Sequence, residues 1–360
     1  MYSCCYHAVE WCKPAAGSVC SISRKHCYYD SLLLAGGWVA LGVVPAGNRL
    51  YRYELVENAD DNGSPGKLIN PKLLLDLPAR PGPRYNGGPI LVTQDENNAT
   101  TIYLMIGDLD HRRTQALNYK DGPPPDGTGG ILRVDIDSNP LQNPVLVGGN
   151  NTDNNSNNEE EIGMLPYYFA YGLRNGFGMD FDSVTGYLWD TENGPDYGDE
   201  INLVQPGFNS AWEKIQGLAS APENEGVDIE EDLVDFDGRG QYSDPKFVWQ
   251  IPVGVTAIKF LNSTELGDEY ENDMFVGDIN NGRIYRFELN EDRTDLELDG
   301  VLADRVANNA TELSSVIFGT GFRSISDIEV EPDGHLYILL YGPGKIMKIA
   351  PAEEQDDDDD

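Results

Sequence analysis

Two glycine-rich loops hold the residues in this chain best suited to chemistry. Gly172-Leu173-Arg174-Asn175-Gly176 carries an arginine, whose planar guanidinium presents a rigid fork of hydrogen-bond donors. Glu192-Asn193-Gly194-Pro195-Asp196 runs on to Asp199-Glu200, so four carboxylates (Glu192, Asp196, Asp199, Glu200) fall within nine positions. Packing them together without a cation is electrostatically costly, and crowded hard oxygens suit Ca²⁺ better than a transition metal. Gly194 lets a backbone approach closely. Each loop also has a purely structural reading. Arg174 could satisfy loop carbonyls in a channel wall, and the carboxylates could form a solvated acidic turn.

Such loops need a rigid scaffold, and strands flank both of them. Gly178-Met179-Asp180-Phe181-Asp182 alternates apolar and polar residues as a half-buried strand does, and Ser183-Val184-Thr185-Gly186 is a turn. Tyr187-Leu188-Trp189 and Asp199-Glu200-Ile201-Asn202-Leu203-Val204 supply two further strands. The same unit recurs, with first strands at Pro89, Thr256 and Ser326 and last strands at Gly130, Gly282 and Gly344. Asn48-Arg-Leu-Tyr-Arg-Tyr-Glu-Leu55 reads as the tail of a further unit whose front is missing. Repeated antiparallel units predict an all-β propeller, which solves the edge-strand problem radially.

The charge excludes one class of partner. Sixty-one acidic against 25 basic residues give a formal charge of −36, which repels phosphate backbones and argues against nucleic acid. All five cysteines (Cys4, Cys5, Cys12, Cys20, Cys27) lie in a basic and apolar leader. Their spacing matches no standard metal site, and Leu32 to Val44 is short for a bilayer span. A disulfide module, a targeting segment and a start not native to the fold are the three readings, of which the last is preferred. The expected organisation is therefore a leader over 1–46, the propeller over 47–351 without a membrane span, and an acidic disordered tail over 352–360. The sequons at Asn98, Asn150, Asn154, Asn262 and Asn309 point to an extracytoplasmic or secreted protein.

Tyr171-Gly-Leu-Arg174-Asn175 followed by Phe177-Gly178, and Glu192-Asn-Gly194-Pro195 leading into Asp199-Glu200-Ile-Asn-Leu, also carry a resemblance. In order and separation they resemble the quinoprotein glucose/sorbosone dehydrogenase family, and weaker similarity runs from about Gly47 to Ile349. That family consists of soluble six-bladed β-propellers that oxidise sugars with pyrroloquinoline quinone (PQQ) and calcium. The resemblance implies a six-bladed propeller here, its first blade incomplete or missing. It places Arg174 and Asn175 beside the quinone carbonyls. The carbonyls of Gly194 and Pro195 would bind the cofactor calcium, with Asp199 and Glu200 at a structural calcium nearby.

Several positions depart from the family pattern. Tyr85 heads Tyr85-Asn86-Gly87-Gly88 where the family has its catalytic histidine, and tyrosine is a weak base at neutral pH. His111 on the following loop is the candidate substitute. Asn280 replaces a cofactor-holding lysine, Phe177 a glutamine and Ser210 a tyrosine ligand. Ser324 and Ser326 replace a clamping arginine pair, with Arg323 adjacent. Losing cations around a tricarboxylate removes charge-assisted bonds of roughly 1.5–3 kcal/mol each. The function implied is PQQ- and calcium-dependent oxidation of a sugar or related alcohol, passing electrons to an acceptor the sequence does not specify. The alternative is a non-catalytic, calcium-stabilised propeller that binds carbohydrate or protein.

Overall fold

In the computed structural model the described residues are 25–31 (backbone only), 47–56, 67–80, 85–110, 118–148 and 163–352. They form five β-sheets. The first contains β1 (Lys25–Ser31), β2 (Asn48–Val56) and β3 (Lys67–Leu77). The second is the antiparallel run β4 (Ile90–Gln94), β5 (Thr100–Ile106), β6 (Gly130–Asp135) and β7 (Tyr168–Tyr171). The third is β8 (Gly176–Phe181), β9 (Leu188–Glu192), β10 (Asp199–Val204) and β13 (Phe247–Trp249). Two-residue strands extend these sheets outward, β11 (Phe208–Asn209) and β12 (Gln241–Tyr242) on the second and β17 (Val306–Ala307) on the third. The fourth is β14 (Val255–Phe260), β15 (Met274–Asp278), β16 (Arg283–Phe287) and β18 (Ile317–Thr320), and the fifth is β19 (Ile325–Val330), β20 (Leu336–Leu340) and β21 (Lys345–Ile349).

The chain is thus all-β, and its sheets are those of a β-propeller. Apolar side chains fill the spaces between consecutive sheets. Leu50, Leu74, Leu104, Leu132 and Tyr168 pack the first against the second. Met105, Ile131, Met179 and Leu188 pack the second against the third. Trp189, Trp249, Phe260, Met274 and Phe287 join the third to the fourth, and Phe275, Ile284, Ile328 and Ile338 join the fourth to the fifth. A sheet buried on both faces in this way must be followed by another, which drives the radial arrangement. The terminal sheets leave apolar residues exposed, Leu73 on the first and Ile346 and Met347 on the fifth.

All four repeats expected from the sequence coincide with sheets two to five. The presumed blade tail at Asn48 is instead the middle strand of a three-stranded sheet. Its partner β3 contains Pro71, which cannot donate to a ladder and falls at a register shift beside the left-handed Asn70. On the other side, all seven residues of β1 pair with β2, from Lys25↔Glu54 to Ser31↔Asn48. The boundary expected at residue 47 lies between these two strands. The remainder of the leader, residues 149–162 and residues 353–360 fall outside the described residues.

Among the first strands, β14 packs against both β8 and β19. They are tied by Lys259, whose ammonium is 2.7 Å from Glu329 and 3.6 Å from Asp180. The loops that lead into these strands gather at one mouth, together with those joining β9 to β10 and β15 to β16.

Candidate active site

Arg174 sits at that mouth, just before β8, and is 4% exposed. Its Nη1 donates to the Asn193 carbonyl (2.7 Å) and its Nη2 to the Tyr85 hydroxyl (2.8 Å). The guanidinium carbon lies 4.4 Å from the Tyr85 ring centre and 5.3 Å from that of Trp212, so aromatic faces flank the cation. Arg174 does therefore satisfy a loop carbonyl, as its structural reading required, but only with one nitrogen. Its Nε is buried and has no partner among the described residues.

Backbone sterics hold Tyr85 and Arg174 together. A Cβ on Gly107 would stand 2.4 Å from the Tyr85 carbonyl and 2.7 Å from that of Arg174, so only glycine fits between them. The next residue, Asp108, is fully buried. Its backbone N–H donates to the Arg174 carbonyl (2.9 Å), and one carboxylate oxygen accepts from Trp212 Nε1 (2.8 Å). Asp108 thereby fixes the indole that covers Arg174. Reading the sequence passed over this aspartate in favour of His111, three residues further on, which lies outside the described residues. The available signal was Gly107-Asp108 directly after the buried strand β5.

Behind Arg174 the acidic loop proves to be buried rather than solvated. Glu192 is 1% exposed and accepts from the Arg174 backbone N–H (2.7 Å) and the Ser210 hydroxyl (2.8 Å). Burial pushes its carboxyl up to about 7, against the opposing pull of those donors. Glu200 stands opposite Glu192 across β9 and β10. It accepts from Gln216 Nε2 (2.9 Å) and the Gly217 N–H (2.6 Å), and burial together with Glu192 raises its carboxyl well above the ordinary value. On the same face, Asp190 is fully buried opposite Asn202, and burial with the nearby Glu192 charge also raises it.

Asp199 has a different role. One oxygen accepts from the Gly194 N–H (2.9 Å), and the other from Val253 (2.8 Å), Gly254 (2.7 Å) and Val255 (3.4 Å). The carboxylate staples the Gly194 loop of the third sheet to the start of β14. Burial raises its carboxyl while these N–H groups pull the other way. Gly194 is buried and a Cβ there would meet the Tyr197 and Gly198 carbonyls, whereas Pro195 is exposed beside it. Among the described residues no three carboxylate, imidazole or thiolate side chains stand close enough to hold a metal ion by themselves.

The other predicted residues lie on the same rim. The half-buried Asn175 uses its carbonyl to accept the Asn193 N–H (3.0 Å). Asn280 is exposed, and its Nδ2 approaches Gly254 closely enough to exclude a side chain there. Arg323 is exposed, has a left-handed backbone, and packs its main chain on Gly282. The structure thus brings Tyr85, Arg174, Asn175, Gly194, Asp199 and Glu200 around one mouth, with Asp108, Glu192, Ser210 and Trp212 supporting them.

A family model described as glucose/sorbosone dehydrogenase matches residues 47–348. Among curated proteins, the chain is 28% identical over 198 residues to the aldose sugar dehydrogenase YliI of Escherichia coli, covering 53% of this chain and 46% of that one. It is 23% identical over 281 residues to the uncharacterized protein slr1608 of Synechocystis sp., covering 75% and 57%. The chain spans about half the length of the curated relatives it matches. Among solved structures, the soluble aldose sugar dehydrogenase of Escherichia coli in its apo-form superposes with a TM-score of 0.56 at 20% identity, over 92% of this chain and 79% of that one. The PQQ-bound aldose sugar dehydrogenase of Streptomyces coelicolor gives 0.52 at 18% identity, over 84% and 72%. At such identities these likenesses speak for the fold.

Proposed function

The chain belongs to the glucose/sorbosone dehydrogenase family, and from that membership we propose that it oxidises a sugar or related alcohol at the Arg174 mouth with PQQ and calcium. The observation that carries this reading is the Arg174 guanidinium. It is held between two aromatic rings, and its buried Nε has no partner among the described residues. A guanidinium held between aromatic faces is a fixed positive charge with directed donors, which suits an anionic or carbonyl-bearing ligand. Arg174 and Asn175 would hold the quinone, with Asn280 and Arg323 on its rim. The Gly194 and Pro195 carbonyls would face the calcium. When bound, the quinone supplies the acceptor for the two electrons that leave the sugar carbon.

The chain's own side chains do the remaining work. Tyr85 stands where the family has its base. Its oxygen accepts from Arg174, so Tyr85 would orient the sugar hydroxyl at the mouth, and the proton that this hydroxyl loses on oxidation would pass to solvent water. Trp212, held by Asp108, keeps water from one side of the guanidinium and so strengthens its electrostatic pull. Adding PQQ and Ca²⁺ to the protein should give a bound-quinone absorbance that an aldose bleaches. A spectrum indifferent to sugar would sink this reading.

The non-catalytic propeller is the second reading. It is favoured by Ser326, whose hydroxyl donates to the Leu339 carbonyl within its own sheet (3.2 Å) rather than facing a ligand. A melting temperature raised by Ca²⁺ but indifferent to PQQ would select it. We also propose an extracytoplasmic location, in keeping with the exposure of the sequon residues Asn98, Asn262 and Asn309. Cell fractionation that recovers the protein only from the cytoplasm would refute that.

A further inference from the structure

Three of the sequon asparagines lie among the described residues, and although all are exposed their amides are held differently. Asn98 stands in the turn joining β4 to β5. Its backbone is left-handed, its N–H donates to the Asp95 carbonyl (2.9 Å), and the Asp95 carboxylate accepts from the Ala99 N–H (2.8 Å). Asn262 stands in the connection from β14 to β15. The hydroxyl of the next residue, Ser263, accepts from the Glu265 N–H (3.2 Å) and lies so near Gly334 of the fifth sheet that a Cβ there would stand 2.3 Å away. Both segments are thus fixed by their neighbours, while the side-chain amides of Asn98 and Asn262 make no hydrogen bond among the described residues. Asn309, between β17 and β18, differs. Its side-chain oxygen accepts from the Thr311 N–H (3.0 Å), and its Nδ2 donates to the Glu312 carboxylate (2.9 Å).

We propose that Asn98 and Asn262 are sites of N-linked glycosylation and that Asn309 is not. The proposal rests on the extracytoplasmic reading and goes beyond it, because it names the modified residues and the face they occupy. The chemistry is transfer of an oligosaccharide from a lipid phosphate or diphosphate ester. A bond forms between asparagine Nδ2 and the anomeric carbon, and the bond from that carbon to the phosphate oxygen breaks. Nδ2 gives up one proton to water, the lipid phosphate leaves, and nothing is oxidised or reduced. Such a transfer needs an amide nitrogen that reaches solvent and a hydroxyl two residues on, which Thr100 and Thr264 supply. At Asn309 it would first have to break the bonds to Thr311 and Glu312. The two free amides also share one end of the molecule. Each follows the first strand of an antiparallel sheet, β4 or β14, and so lies at the end opposite the loop that leads into that strand. The loop before β4 holds Tyr85, which meets Arg174, and the loop before β14 holds Val253 and Gly254, which meet Asp199. Glycans at Asn98 and Asn262 would therefore stand clear of the mouth and leave it open to a small sugar.

The test is peptide mapping by mass spectrometry of the full chain recovered from the extracytoplasmic fraction of its source organism, as wild type, Asn98→Gln and Thr264→Val. The expected wild-type result is a glycan mass on the peptides holding Asn98 and Asn262 and none on the peptide holding Asn309. Asn98→Gln should remove the first addition only. Thr264→Val keeps the asparagine but removes the hydroxyl that the motif requires, so it should remove the second only. A bare peptide at Asn98 or Asn262 in exported wild type would overturn the proposal and leave the extracytoplasmic reading standing. A glycan on Asn309, or an addition at Asn262 that persists in Thr264→Val, would overturn it equally. Protein recovered only from the cytoplasm would instead refute the location, and the glycosylation with it.

Discussion

Replacing Asp199 by alanine tests whether this carboxylate is a structural staple in its own right. The side chain is fully buried and accepts three short bonds, from the N–H groups of Gly194, Val253 and Gly254, and a longer one from Val255. Truncation strands at least three backbone donors, those of Gly194, Val253 and Gly254. A buried donor left unsatisfied costs about 1–3 kcal/mol, so three of them set the expected loss at about 3–9 kcal/mol. Against a total stability of about 5–15 kcal/mol, that is a large fraction. Asp199→Asn separates charge from shape. Its oxygen can still serve Val253 and Gly254, but its NH₂ must face the Gly194 N–H, for a loss of about 1.5–3 kcal/mol. Urea unfolding of the wild type and both variants, each in Ca²⁺ and in chelator, measures these losses. The staple predicts the same loss in both media, because its partners are backbone amides. A loss seen only in Ca²⁺ would mean that Asp199 acts as a metal ligand, and an alanine variant within about 1 kcal/mol of wild type would refute the staple altogether.

Three further outcomes follow from the same geometry. The Glu192 carboxyl is raised by burial from an ordinary value near 4.3 to about 7. Between those values the folded state binds more protons than the unfolded state, so stability should fall as pH rises through that window and level off above it. Glu192→Gln, which can still accept from Arg174 and meet Ser210, should flatten that slope in urea titrations from pH 4 to 8; an unchanged slope would clear Glu192. Gly107→Ala should push Tyr85 away from Arg174, costing about 1–3 kcal/mol in a melt and lowering whatever oxidation rate the wild type shows. Unaltered stability and rate would contradict the close approach. Lys259→Met should leave Asp180, Asp327 and Glu329 without their shared cation. The expected loss at neutral pH is roughly 3 kcal/mol, the low end for breaking a buried pair because Lys259 keeps some exposure. The loss should shrink as pH falls through about 7 and the raised Asp327 carboxyl protonates; a loss independent of pH would rule out the electrostatic cause.

The legible part of this fold was the part written in local pattern. Strand alternation followed by a turn and a glycine located β8 to β10, β14 to β16 and β19 to β21, because each such unit is one antiparallel meander with its own hydrophobic period. β3 was not legible. Asn70 and Pro71 interrupt its pattern, and the strand survives only because Leu74, Leu75 and Leu77 bury against the second sheet. β7, β13 and β18 were missed for a related reason. Each runs on the outer side of its sheet far along the chain from its neighbours, so its place is set by tertiary pairing rather than by periodicity.

The site divides in the same way. Arg174, Tyr85 and the Glu192–Glu200 loop were found because their residue types are unusual for the glycine-rich loops they occupy. What those residues do was hidden, since it depends on which backbone reaches them. Asp199 looks like a cation ligand in the sequence, yet the N–H groups that fill it come from residues 253–255, more than fifty positions away. Four nearby acids suggested an exposed, cation-seeking turn. In the fold Glu192, Asp199 and Glu200 are buried while only Asp196 remains exposed, because β9 and β10 pair directly through Glu192 and Glu200. That pairing turns a surface charge cluster into an internal one, and it is why Glu192 and Glu200 are pushed toward their protonated forms beside the Arg174 backbone N–H that Glu192 accepts.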